Sequence, residues 1–275
     1  MILSNNSKLT LDKNGVYCSN FSNKDQVNEI KMREGVANLD IGDYLQLIAK
    51  NHSIPVMDYE VRRMLKKLPL NAKIIDVGGC WGWHWRFLSQ IRPDVTVYIL
   101  DFVYENLSNV RKVIPFDCIN KSVFLIHGDA TNLPFDNESF DCYWSVQCLQ
   151  HIPDFRLCIS ESYRVLSKNG LFINYSLNNV LILNFIYKLF KRYYHINGEI
   201  AGITLNKASA FQVEIIKSIF SRDSKSRFTE LLFHPELSTI SGKEFSIIGK
   251  LDSYLGGYNK FLRILARQQS FEITK

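Results

Sequence analysis

Lys73-Ile74-Ile75-Asp76-Val77-Gly78-Gly79-Cys80-Trp81-Gly82-Trp83-His84-Trp85 is the stretch that decides the fold of this 275-residue chain. Its first five residues read as a buried strand: β-branched side chains fill it, an acid lies near its end, and glycines stop it. The second half reads as a helix beginning directly after the turn. A strand, a tight turn and a helix N-terminus bring backbone N–H groups and a carboxylate to the carboxyl edge of a sheet. Open α/β sheets bind nucleotide-like ligands at that edge.

The turn narrows the choice of ligand. A dinucleotide fingerprint requires glycine at its first, third and sixth positions. Gly78, Cys80 and Trp83 stand there, so two of the three fail. A phosphate-cradling loop needs a Gly-Lys-Ser/Thr ending, which is absent. What fits is apolar-apolar-Asp-apolar-Gly-x-x-x-Gly, over Ile74 to Gly82.

Working outward, Thr96-Val97-Tyr98-Ile99-Leu100-Asp101 is a second β-rich run ending in an acid, 25 residues after Asp76. An acid there can accept hydrogen bonds from both hydroxyls of a ribose, with Phe102 beside it. Val123–His127 leads into Gly128-Asp129-Ala130. Phe140-Asp141-Cys142-Tyr143-Trp144-Ser145-Val146-Gln147 then leads into Cys148–Ile152, and Tyr163–Ile173 carries Asn169-Gly170 in a turn. Strand and helix patterns alternate through residue 177, which implies a parallel sheet.

These five blocks, in this order, resemble class I S-adenosylmethionine (SAM) methyltransferases, and the fourth is similar to the methyltransferase type 11 or ubiquinone/menaquinone-type branch. The likeness covers roughly residues 55–178. It departs from the family's Gly-x-Gly-x-Gly turn at Cys80, with a glycine shifted to Gly79. The resemblance implies a Rossmann-like, doubly wound, mostly parallel sheet of about seven strands, closed by an antiparallel pair. Phe228–Phe233 and Phe271–Thr274 are the candidates for that pair. It further implies SAM as cofactor, S-adenosylhomocysteine as product, and binding by Asp76, Gly78, Gly79, Cys80, Trp81, Gly82, Asp101, Phe102, Gly128, Asp129, Ala130, Ser145 and Gln147. In the family the acid of Gly-Asp-Ala faces the adenine amine, and Asp76 fixes the turn and, directly or through water, the SAM amino group.

Composition bounds the rest. Hydrophobic residues make up 46% of the chain, enough for a substantial core. A net charge of +6 without a long basic run argues against a nucleic-acid partner. Six cysteines show no metal-ligand spacing and read as reduced thiols, so no metal is expected and the cytoplasm is the expected location. The N-terminus lacks a signal-peptide pattern. The longest apolar stretch, residues 180–190, is too short to span a bilayer.

Residues 1–60 read as an N-terminal helical cap and 61–275 as the core, with a variable acceptor-side region at about 178–267. Within the cap, residues 1–22 look loosely ordered or draped over the core. Helices are expected over 24–34, 40–51, 54–67, 154–166, 180–195 and 207–220. The segment 238–267 reads as an insertion with a turn at Gly256-Gly257.

On the catalytic side, Gln147 and His151 follow the fourth strand, where the methyl must depart. His151 reads equally as a general base or as a helix-start hydrogen-bonder, and Gln147 equally as a site residue or a solvent-facing one. Without His151, the base falls to His52, Tyr17 or His195, or is absent. Trp85 reads as core, Trp81 as core or ligand wall, and His84 as a poor metal ligand. The expected activity is methylation of a small molecule, most readily on oxygen of a sugar or secondary metabolite. A lipid-like quinone acceptor is the alternative, favoured by the amphipathic helix at 180–195 and its peripheral membrane contact. A SAM- or nucleoside-binding protein without catalysis is the third reading, prompted by Cys80.

Overall fold

A computed structural model of the chain describes residues 9–19, 27–191, 197–200, 203–235 and 240–275. In chain order the elements are β1 (Thr10–Leu11), β2 (Val16–Cys18), α1 (Val27–Ala37), α2 (Ile41–Asn51), α3 (Ile54–Leu65), β3 (Lys73–Val77), α4 (Leu88–Ile91), β4 (Thr96–Asp101) and α5 (Tyr104–Ser108). There follow β5 (Val123–His127), β6 (Phe140–Val146), α6 (Phe155–Val165), β7 (Leu166–Leu177), α7 (Leu181–Leu189), β8 (Asn197–Ile200), β9 (Ile203–Asn206), α8 (Ala210–Phe220), β10 (Lys225–Thr229), α9 (Ile247–Leu255) and β11 (Gln268–Thr274).

The main sheet runs β1-β2-β5-β4-β3-β6-β7-β11-β10. From β2 to β7 every pairing is parallel; β7–β11, β11–β10 and β1–β2 are antiparallel. The strand order reverses direction at β3, so the turn after β3 lies at a topological switch point, where such sheets bind ligands. Seven strands, β5 through β10, match the expected architecture. The sheet has nine because β1 and β2 join its edge, correcting the expectation of a loosely ordered start for the described part of that segment. Val16–Cys18 pairs in parallel with Leu125–His127, and Val16 is fully buried there. The edge of β5 thus gains a backbone partner instead of being left open.

Two apolar layers sandwich the sheet. One collects Tyr44, Met57, Trp81, Trp83, Trp85, Trp144 and Tyr175 under α2 and α3. The other collects Tyr98, Phe135, Phe140, Tyr143, Ile159, Phe172 and Ile216 under α6 and α8. Alternation along β6 divides its side chains, Cys142 and Trp144 going to the first layer and Tyr143 to the second.

Several helices are shorter than their apolar patterns. After the turn the chain makes a 3₁₀ turn, Trp83–Trp85, and only then the four-residue α4. A helix running straight on from Gly82 is therefore corrected: Gly82 itself is left-handed at φ 71°. Helix α7 ends at Leu189, and residues 192–195 of the expected 180–195 helix, His195 among them, lie outside the described residues. Helix α8 begins at Ala210, where the Ser209 side chain accepts from the Gln212 amide. Among the candidate closing strands, the pairing strand is Lys225–Thr229 and not 228–233. No helix among the described residues is long and apolar enough to cross a membrane.

Candidate active site

The carboxyl ends of β3, β4 and β5 come together, and with them Asp76, Asp101 and Asp129. Strand register does this: Asp76 pairs with Ile99 and Asp101 with His127, in parallel. A cleft of ≈ 360 Å³, including its open mouth, lies at these ends. Val77, Gly78, Leu100, Asp101, Phe102 and Gly128 line it, together with Asp129, Ala130, Cys148, His151 and Ile152. Seven of the residues singled out in the sequence are in that lining: Gly78, Asp101, Phe102, Gly128, Asp129, Ala130 and His151.

The turn is held by backbone geometry. Gly78 has φ 76° and donates to the Leu100 carbonyl at 2.7 Å. A Cβ on Gly78 would lie 2.4 Å from the Cβ and Sγ of Cys148, so only glycine lets the loop after β6 pack so closely. Cys80 adopts φ 51°, the left-handed conformation that glycine favours. The departure from the family's glycine pattern therefore leaves the turn's shape in place. Asp101 ties this turn to its own strand: Oδ2 accepts from the Cys80 amide at 3.0 Å and Oδ1 from the Val103 amide at 2.9 Å. Asp129 is set by a tight turn in which Oδ1 accepts from the Thr131 amide at 2.8 Å.

Other residues singled out in the sequence lie behind the cleft rather than in it. Asp76 is 1% exposed, and its Oδ2 accepts from the Trp85 indole at 2.6 Å. Burial pushes its carboxyl up to about 7, against the lowering effect of the indole bond, and the nearby Asp101 adds to the rise. Gly79 covers that carboxylate, since a Cβ there would be 2.5 Å from Oδ2. Gly82 donates to the Gly79 carbonyl at 2.8 Å. Ser145 is buried and donates to the Val77 carbonyl at 2.9 Å, a bond between neighbouring strands. Trp81 is buried too, stacked on Tyr44 of α2 with ring centroids 4.0 Å apart.

His151 is part of a chain of hydrogen bonds. The Leu177 amide donates to Gln150 Oε1 at 2.8 Å, which leaves the Gln150 amide nitrogen facing His151 Nε2 at 3.1 Å. His151 Nδ1 lies 2.8 Å from the Thr204 carbonyl, which can only accept. Nδ1 therefore carries the proton, and Nε2 accepts from Gln150. Both ring nitrogens have protein partners, and β9 is held to the site through one of them.

Gln147 ends β6 in the left-handed conformation at φ 50°, with its side-chain nitrogen buried and without a partner. It belongs to a larger set, of which the sequence marked Trp81 for the site and His84 only as a poor metal ligand. Both ring nitrogens of His84 and the indole nitrogens of Trp81 and Trp144 are likewise buried and unpartnered. His84 packs on Trp83 at 4.1 Å and edge-on to Trp144 at 6.0 Å. Burial, then the charges of His52 and Arg86, push its imidazole well below the ordinary range, so it is neutral near pH 7. Its position among three tryptophans was the available signal. Of the alternative bases, His52 lies 6.1 Å from Trp83, and Tyr17 is on β2 against Phe124. Among the described residues no group of three or more His, Cys, Asp or Glu is arranged to hold a metal.

Comparison with known proteins agrees with this geometry. Residues 75–174 match the family described as a methyltransferase domain. The ubiquinone/menaquinone biosynthesis C-methyltransferase UbiE of Bartonella quintana is 26% identical over 174 residues, covering 62% of this chain and 66% of its own. The demethylmenaquinone methyltransferase of Listeria monocytogenes is 36% identical over 111 residues, covering 38% of this chain and 45% of its own. The chain therefore spans just under two thirds of the first relative's length and less than half of the second's. Among solved structures, a SAM-dependent methyltransferase from Thermotoga maritima aligns with a TM-score of 0.53 at 18% identity, covering 91% of this chain and 96% of that one. One from Mesorhizobium loti aligns at 0.51 and 15% identity, covering 78% and 96%.

Proposed function

We propose that this chain, whose residues 75–174 match a methyltransferase domain, is a SAM-dependent methyltransferase that methylates an oxygen-bearing aromatic ring on an apolar molecule of the quinol type. Bound in the cleft, SAM supplies a methyl group already activated as a sulfonium, so the protein's task is chiefly alignment. The cleft fits that cofactor: Gly78 keeps the floor of the turn open, and the Asp101 carboxylate stands in the lining at the end of β4. Phe102, Ala130 and Ile152 supply apolar walls for a base, with Asp129 beside them.

The observation that carries the acceptor class is the set of buried, unpartnered polar atoms on aromatic and amide side chains: His84, Trp81, Trp144 and Gln147. Native proteins seldom leave such groups unsatisfied. Flat apolar walls with a few hydrogen-bonding points suit a planar ring bearing oxygens. A sugar hydroxyl acceptor, the first expectation from sequence, would want a denser polar lining. The names of the Bartonella and Listeria relatives point the same way. Removal of a phenolic proton makes the ring carbon nucleophilic, and His84, buried, neutral and without a protein partner at either nitrogen, would hold the ring oxygen by a hydrogen bond. His151 Nε2 is engaged by Gln150.

The test is methyl transfer from labelled SAM to a demethylated quinol and to a panel of sugars. The expected outcome is label on a ring carbon, with His84→Phe lowering kcat by at least about tenfold and leaving the Kd for SAM unchanged. Transfer to a sugar hydroxyl would defeat the acceptor assignment, and normal turnover by His84→Phe would defeat the role given to His84.

A further inference from the structure

Three adjoining elements leave an apolar surface uncovered. Helix α7 exposes Phe185 at 62%; the start of α9 exposes Phe245 at 84% and Ile247 at 83%; the helical turn Lys260–Ile264 exposes Phe261 at 80%. The elements are joined. Only residues 256–259 separate α9 from the 260–264 turn. Asn178, just before α7, donates to the carbonyls of Arg263 and Ala266 at 3.1 and 2.9 Å. With Phe190 included, at 73%, these phenylalanines present on the order of 600 Å², taking about 200 Å² for a whole ring. Single exposed apolar side chains are ordinary, but this much exposed aromatic area is on the scale of the largest patch of a typical monomer, roughly 300–600 Å².

Within these elements the exposed charge has one sign, while Glu214 and Asp223 lie across the groove that Lys260 and Arg263 line. Over residues 181–191 and 240–265 the exposed ionised groups are all basic, among them Lys188, Lys250, Lys260 and Arg263. The two acids in these stretches are occupied: Glu244 pairs with Arg86 at 2.9 Å, and buried Asp252 accepts from the Leu231 amide at 2.9 Å. Aromatic and aliphatic side chains interspersed with lysine and arginine match an anionic bilayer surface, where rings enter the interface and basic groups meet lipid phosphates. A second copy pressed face to face would set these lysines against themselves.

We propose that α7, α9 and the 260–264 turn seat the chain on an anionic lipid membrane. The inference stands on exposure and charge alone and does not rest on the acceptor reading.

Flotation of the full-length chain with vesicles tests it. Vesicles of phosphatidylcholine alone are compared with vesicles containing about a third phosphatidylglycerol. The protein is expected to float with the anionic vesicles, and less so as salt rises. Lys250→Glu and Lys260→Glu are each expected to weaken partitioning by at least roughly fivefold. Phe245→Ser with Phe261→Ser is expected to weaken it by at least about tenfold. SAM binding and circular dichroism of these variants should match the parent, which separates loss of the surface from loss of the fold. Absence of flotation with anionic vesicles, or flotation untouched by either set of substitutions, would overturn the proposal. So would a concentration-dependent dimer in solution that Phe245→Ser with Phe261→Ser abolishes.

Discussion

Replacing Asp76 by asparagine removes one titration from the centre of the protein and nothing else that ionises. Its carboxyl is sealed beneath Gly79, takes one hydrogen bond from Trp85, and is raised by burial to about 7. In the unfolded chain it titrates near ~3.9. Between those values the native state binds a proton that the unfolded state has released, so native stability contributed at acid pH is lost as pH rises through the window. The slope is about 1.36 kcal/mol per pH unit, and the full swing is on the order of 4 kcal/mol. Asparagine can still accept from Trp85 through its carbonyl and has no such slope. The stability difference between asparagine and aspartate should therefore move in favour of asparagine by about 2–3 kcal/mol from pH 5 to pH 7, and flatten above pH 8. Other raised groups, such as Glu230 at about 7, are common to both proteins and cancel in the difference. Urea unfolding of cofactor-stripped protein at four pH values measures it, stripping being needed because bound ligand adds its own stability. Parallel stability curves across this range would refute the reasoning: Asp76 would then be charged in the folded state at little cost, with water or another donor at its second oxygen.

Three further outcomes follow from the geometry. Asp101→Ala should weaken SAM binding by about 1.5–3 kcal/mol in calorimetry with the fold intact, and NADH should bind neither protein; unchanged affinity would place the ribose elsewhere. His151→Ala should lower unfolding stability by about 1–3 kcal/mol, because Gln150 loses its acceptor and the Thr204 carbonyl its donor, while turnover per folded molecule falls less than about tenfold. A 10²-fold or greater fall in kcat with normal stability would restore His151 as the base. Arg227→Met should cost about 3–5 kcal/mol by denaturant unfolding, because it strips the fully buried Glu60 of a bidentate partner at 2.8–3.1 Å; Arg227→Met with Glu60→Met should recover much of that.

The central sheet was legible because its strands are long and chemically marked. Lys73–Val77, Thr96–Asp101, Val123–His127 and Phe140–Val146 are β-rich runs leading to an acid, glycine or polar turn, and each forms the expected strand. β1 and β2, with two and three residues, carry too little pattern to read; they exist because the edge of β5 offers them a ladder. The cofactor cleft was legible for the same reason as the strands, its residues lying at their ends. His151 was not decidable: its partner Thr204 is 53 residues away, and only the folded chain brings β9 to it. His84 looked unremarkable because its meaning lies in what it lacks, a partner for either nitrogen, and absence of partners is a tertiary property. Cys80 showed a departure from pattern in sequence, yet the turn keeps its shape because a small side chain tolerates the left-handed conformation at modest strain.

The ion pairs on α3 set what can move when an acceptor enters. Glu60 accepts from Tyr175 of β7 at 2.7 Å, from Arg227 of β10 and from Arg63, and Arg63 also pairs with Glu272 of β11. Prising α3 from the sheet would expose or strand these charges at about 3–5 kcal/mol for a broken buried pair. Parting the Tyr44–Trp81 stack costs about 0.5–1.5 kcal/mol. Mechanically, α3 is therefore part of the frame, as fixed as the strands it is bolted to, and α2 is the compliant member. A disturbance at this edge of the molecule is therefore expected to be taken up at the Tyr44–Trp81 contact before it reaches α3.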